Sequence, residues 1–159
     1  MEKLSQILWR ERELLETLLF KLEQEQMVLA TGRTRWLVRA AREVESVLET
    51  IRETEILRAV AADEAARSLG LDHNPSLRAL AALVEEPWQS ILADHHDAFT
   101  TVTHEIVDLA DANRELITTG YRSARETLMS LGDGPQSYAA DGSAVSVPDS
   151  RRPMVDWSL

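Results

Sequence analysis

Apolar residues along the first four-fifths of the chain recur at alternating steps of three and four, the period of a helix face rather than of a strand. Over about residues 2–30, Leu8, Leu15, Leu22 and Leu29 stand seven apart, with Leu4 and Leu18 at coiled-coil spacing between them. Ile7, Leu14 and Leu19 widen this stripe beyond a two-helix seam, so the first helix is expected to touch more than one neighbour. Thr31-Gly32 supplies a stop, because glycine accepts the left-handed conformation that closes a helix.

A second segment, about 33–69, repeats the pattern through Leu37, Val44 and Ile51, flanked by Ala40, Val47 and Leu48, and continues through Leu57, Val60 and Leu69 among alanines. Gly70 and Pro75 then break the chain, and Ser76 is placed to cap a short helix reaching about Val84. Glu85-Glu86-Pro87 opens the last helix, where proline in the first turn sacrifices no hydrogen bond. From there to Leu131 the stripe runs Trp88, Leu92, His95, Phe99, Val102, Ile106, Leu109, Asn113, Leu116. It then shifts by one residue to Ile117, Tyr121, Ala124, Leu128 and Leu131.

At 1.5 Å per residue the last helix is expected to be roughly 65 Å long and the first roughly 45 Å. Packed from a shared end, the longer helix outruns its neighbour and bares part of its stripe, a candidate partner surface. Beyond Gly132 the composition turns to Gly, Pro, Ser, Asp and Ala, which predicts a flexible tail. Tyr138, Met154, Val155, Trp157 and Leu159 in that tail fit two descriptions: anchors that order on binding, or residues packed loosely on the bundle. The expected fold is therefore all-α: an antiparallel bundle of three long helices plus a short connecting helix, with a protruding C-terminal helix. The division is 1–131 for the helical domain and 132–159 for the tail.

Charge narrows the range of partners. A formal net charge of −10 repels nucleic-acid phosphates and anionic lipid, both of which are bound largely through Lys and Arg, so no nucleic acid partner is expected. No window approaches the roughly 20 apolar residues of a membrane span, and the polar opening Met1-Glu2-Lys3 precedes no apolar signal core, so neither membrane insertion nor signal-peptide secretion is expected. The absence of cysteine excludes disulfides and thiolate chemistry and fits a reducing cytoplasm.

Catalytic apparatus is missing from the pattern. No Glu-x-x-His pair precedes His73, His95, His96 or His104, and adjacent His95 and His96 point about 100° apart on a helix. His95 falls on the stripe, the position of a structural histidine rather than a ligand, and a helical metal enzyme built on His95 and His104 is the weakest reading. Asp108, Asp111 and Glu115 form a solvated face. The basic run Arg33, Arg35, Arg39 and Arg42 is most simply paired with Glu23 and Glu25. No phosphate-binding loop, dinucleotide fingerprint or nucleophile elbow occurs, so no enzyme and no cofactor is expected. Asn113 interrupts the apolar stripe, where an amide either sets helix register or faces a partner. Gly120, costly in mid-helix by about 1 kcal/mol, is tolerated where another backbone must come close.

The opening Leu4-Ser5-x-Ile7-Leu8, the long helices, and Asn113-Arg114-Glu115-Leu116-Ile117-Thr118-Thr119-Gly120 in the last one resemble the FlgN family of flagellar export chaperones. That family carries an Asn-x-x-Leu-Leu-x-x-Gly pattern there, from which Ile117 is a mild departure. Tyr138-Ala139-Ala140-Asp141-Gly142 resembles the Tyr-x-Ala-Asp-Gly segment that follows the family's last helix, so the likeness spans nearly the whole chain. The Trp9-Arg10-Glu11-Arg12 and Arg33-Thr34-Arg35-Trp36 stretches stand outside the family pattern.

The resemblance implies a cytoplasmic chaperone without catalytic activity that binds the C-terminal segments of the hook-associated junction proteins FlgK and FlgL and delivers them to the flagellar type III export gate. The client surface it implies is Asn113, Leu116, Ile117, Gly120, Tyr121, Ala124 and Leu128. Docking to the export gate protein FlhA would fall to Tyr138, Asp141 and Gly142. The alternative is a homo-oligomeric coiled-coil scaffold whose long stripe pairs with itself; a homodimer is compatible with either.

Overall fold

The computed structural model describes residues 1–132, 137–138 and 144–145. Its helices are α1 (Glu2–Ala30), α2 (Leu37–Leu69), α3 (Leu77–Ala81) and α4 (Trp88–Gly132), and a 3-10 turn over Thr34–Trp36 leads into α2. The second helix therefore starts four residues later than the expected position 33, and the short one ends at Ala81 rather than near Val84.

Glycine ends both long leading helices in the same way. Gly32 and Gly70 take φ of 64° and 73°. Each lets the next amide turn back on the helix: Arg33 N donates to Val28 O at 3.2 Å, and Leu71 N donates to Ala66 O at 3.0 Å. Leu71 thereby drops onto the core. The α2–α3 loop is pinned by Asp63, which accepts from Asn74 N at 2.7 Å and contacts His73 Nδ1 at 3.2 Å. These two interactions, the backbone amide first, hold its carboxyl below the usual range. Ser76 caps α3 by accepting from Ala79 N at 3.1 Å. Glu86 braces the start of α4 by accepting from Ser90 Oγ at 2.7 Å.

Ion pairs fix the direction of α2 against α1. Lys3 meets Glu64, Glu11 meets Arg58 and Lys21 meets Glu43, so one numbering rises as the other falls. Between α1 and α4 the numbering rises together, with Trp9 on His95 and Leu22 on Asn113. The three long helices thus run up, down and up, each antiparallel to the next in sequence, as expected.

The core has two parts. Leu4 and Leu8 of α1, Ala61, Ala62 and Ala65 of α2, Leu80 and Ala81 of α3 and Leu92 of α4 form one. Leu18, Leu22 and Ile51 form the other, flanked by half-buried Val44, Val47, Leu48, Ile106 and Leu109. A fully buried leucine contributes about 2 kcal/mol, so these few residues carry much of the stability. The later half of α2 departs from expectation: Leu57 and Val60 are exposed, and the buried positions of the helix are Ile51, Thr54, Ala61, Ala62, Ala65 and Ala66. The alanines of this seam pack in one cluster with Leu4 and Leu8 of α1, Leu80 of α3 and Leu92 of α4, where small side chains let the larger ones fit.

The chain divides into two compact units, 1–118 and 119–159. In the second, Ser137–Tyr138 and Ala144–Val145 pair antiparallel, Ser137 opposite Val145 and Tyr138 opposite Ala144. This short ladder lies in the stretch expected to be a flexible tail; the rest of that expectation, with the apolar cluster Met154–Leu159, lies outside the described residues.

A candidate partner surface on the last helix

The stripe on α4 begins as core. Leu92 is 1% exposed, and His95 and Val102 are buried with it. His95 lies between the edge of Trp9, with ring centroids 4.9 Å apart, and the face of Phe99 at 6.0 Å. Neither ring nitrogen has a hydrogen-bond partner. Burial, and then the Arg12 guanidinium, lower its pKa below the ordinary histidine value against the opposing charge of Asp94. A buried, neutral imidazole packed between aromatic rings is a filler of the α1–α4 interface. His104 is exposed, and among the described residues no three His, Asp or Glu side chains converge on a point where a metal could be held.

Asn113 closes this buried stretch. It is 2% exposed, and Nδ2 donates to Leu22 O at 2.9 Å and to Glu25 Oε2 at 3.2 Å. The amide reaches the last part of α1, as a residue that sets helix register would. The side chain thus lies inward of the exposed strip, with acceptors on α1 for Nδ2 and no hydrogen-bond partner for the buried Oδ1. Glu25 is engaged by Asn113 and not by the basic run. Arg39 instead pairs with Glu43 in its own helix at 3.0 Å, and Arg35 stacks over Trp36.

One more buried charge escaped the sequence reading. Glu11 lies on the α1 stripe, 5% exposed, with Oε2 at 2.8 Å from Arg58 Nε in an ion contact without hydrogen-bond alignment. Desolvation raises its pKa, opposed by Arg58 and assisted by Glu55. Periodicity alone marked the position, since Glu11 is seven residues after Leu4 and before Leu18.

Past Asn113 the environment of α4 changes. Every residue from Arg114 to Leu131 is exposed. Leu116 and Ile117 are 37% and 47% exposed, and Tyr121 and Leu128 are 72% and 71% exposed, with Met129 and Leu131 also open. Ala124 shares this exposed side, and a Cβ built on Gly120 would meet nothing within 4 Å among the described residues. Ile117, Tyr121, Ala124 and Leu128 are separated by four, three and four residues, so they form one strip on the helix surface. Tyr138 is described through its backbone pairing with Ala144, while Asp141 and Gly142 lie outside the described residues.

The helical fold and the exposed strip leave the function open, and the sequence comparison narrows it. The sequence profile of the family described as "FlgN protein" matches residues 1–146. The chain belongs to the FlgN family. FlgN proteins are non-enzymatic flagellar export chaperones for the hook-associated proteins FlgK and FlgL. No curated protein and no solved structure matches the chain. Among the described residues no helix is long and apolar enough to cross a membrane.

Proposed function

We propose that this FlgN-family chain works in the cytoplasm and holds the C-terminal segments of FlgK and FlgL on Leu116, Ile117, Gly120, Tyr121, Ala124 and Leu128. The observation that supports this reading is the exposure of that strip on α4, where Ile117, Tyr121 and Leu128 stand in helical register with Leu116 beside them and no cover among the described residues. A client segment folding as an amphipathic helix against it gains about 25 cal/mol per Å² of apolar surface buried. Ordering the segment offsets several kcal/mol of that gain and leaves the complex reversible, which suits a chaperone that must release its cargo. Asn113 contributes from inside, by fixing where the strip begins.

Tyr138, Asp141 and Gly142 follow the last helix in the order of the family's tail segment, and they dock the loaded chaperone to FlhA. Tyr138→Ala then leaves client affinity intact and weakens capture by the cytoplasmic domain of FlhA.

The deciding experiment is a calorimetric titration with the C-terminal segments of FlgK and FlgL from the same genome. Saturable one-to-one binding that Leu128→Asp abolishes, with helical content kept, is the expected result. Binding unaffected by Leu128→Asp would remove the strip from the reading. No binding to either segment, with a tight oligomer persisting in sedimentation at nanomolar protein, would replace the chaperone by a self-associating scaffold; a homodimer that still binds client would not.

A further inference from the structure

The strip on α4 has two unlike edges. Taking Tyr121, Ala124 and Leu128 as its centre line, at 100° per residue Arg125 stands about 70° to one side and Arg122 about 130° to the same side. The other side carries no charge: Leu131 and Gly120 stand nearest the centre line, then Thr127, Leu116 and Ser123. Thr127 is turned back on its own helix, where its Oγ1 donates to Ser123 O at 3.0 Å. Glu126, the one carboxylate between Thr119 and Gly132, lies on the opposite face of the helix.

This charge is out of keeping with the chain. The protein as a whole carries −10, yet from Thr119 to Gly132 there are two arginines and one glutamate, a local balance of 2 − 1 = +1. Arg122 and Arg125 are exposed, and among the described residues neither has a carboxylate within 4.0 Å. Arg114 is different, since it is already neutralised by Asp111.

Resting on the client-binding reading, we propose that this strip selects an amphipathic segment bearing Asp or Glu along one edge. Those carboxylates meet Arg122 and Arg125, and the segment's backbone approaches over Gly120 and Ser123 on the other edge. A helix laid on a symmetric apolar strip fits in either direction and slides by a turn with little loss. An edge of arginines facing an uncharged edge removes that freedom, because the reversed segment brings its acidic edge to the side without a cation. Complementary rim charge adds modestly to affinity and more to encounter rate and register. A generally acidic surface also repels acidic segments elsewhere, so the arginines concentrate them on the strip.

The test measures affinity of the full chain for the C-terminal segments of FlgK and FlgL at about 0.05 M and about 0.5 M salt, across which screening shortens from over 10 Å to a few Å. Arg125→Glu is expected to weaken binding about tenfold at low salt and to flatten the salt dependence, while Arg125→Lys stays within about threefold of wild type. Arg10→Glu, an exposed arginine on α1, makes the same change in net charge and is expected to stay within about twofold. Circular dichroism on each variant checks that the helix persists. Binding by wild type that Arg125→Glu leaves unchanged or tightens overturns this inference and spares the chaperone reading, as does an equal loss in Arg10→Glu. Failure of wild type to bind either segment overturns both.

Discussion

The two halves of α4 carry the same kind of pattern and meet different fates. From Leu92 to Asn113 the apolar positions are filled against α1, and in part α2 and α3; from Leu116 to Leu131 side chains of equal size face outward. Neither hydrophobicity nor period distinguishes them. What distinguishes them is supply: α1 offers Leu22 O and Glu25 to Asn113, and among the described residues nothing buries the positions of α4 that follow. A stripe therefore identifies a surface that prefers to be covered, and only the neighbours decide whether the same chain covers it.

The sharpest way to break this comparison is to truncate one leucine from each half. Leu92→Ala is expected to cost about 2–5 kcal/mol of stability in chemical denaturation, because the cavity it leaves is closed on all sides. Leu128→Ala is expected to cost less than about 0.5 kcal/mol while still weakening client binding in the titration. Similar stability losses for both would mean that the second half is covered after all.

At the junction, Asn113→Ala is expected to cost about 1–3 kcal/mol, since Leu22 O and Glu25 lose their buried donor. If Asn113 acts only from inside, client affinity of the folded variant stays near wild type. A large affinity loss in a variant of unchanged stability would return the amide to the client surface.

His95 tests the buried half through pH. Its folded-state pKa is lowered, so the unfolded chain takes up a proton more readily than the folded one as pH falls. Stability is expected to be independent of this group above about pH 6.5 and to decline below it, down to the depressed folded value. The decline should shrink in His95→Leu, measured by denaturation across that range, and persist unchanged in His104→Leu.

The smallest effect belongs to Gly120. With open space around its α-carbon, Gly120→Ala is expected to stabilise the isolated helix by up to about 1 kcal/mol, visible as a slightly raised melting temperature. If a client backbone approaches there, the same change weakens binding; unchanged binding would place the client on the arginine edge alone.

Much of this was legible in the residues. The 3.6-residue period, Gly32, Gly70, Ser76 and Pro87 placed every helix to within a few residues, because capping and backbone sterics act locally. The motifs Asn113–Gly120 and Tyr138–Gly142 pointed to the FlgN family before any contact was known. Less legible was the face of α2, where Leu57 and Val60 look like core by size. Thr54 and the alanines are core in fact, since they are the side chains of α2 turned toward the rest of the bundle. Glu11 was hidden for a similar reason: a carboxylate is a surface residue by composition and becomes a buried one only when Arg58 of another helix is brought to it.

The sequence by itself thus determined the helices, their ends and their apolar stripes, all of which follow from interactions within a few residues along the chain. The tertiary structure decided which part of each stripe became core, the inward turn of Asn113 and the burial of His95. Those outcomes depend on which helix lies alongside and how far it extends, and no residue carries that information alone.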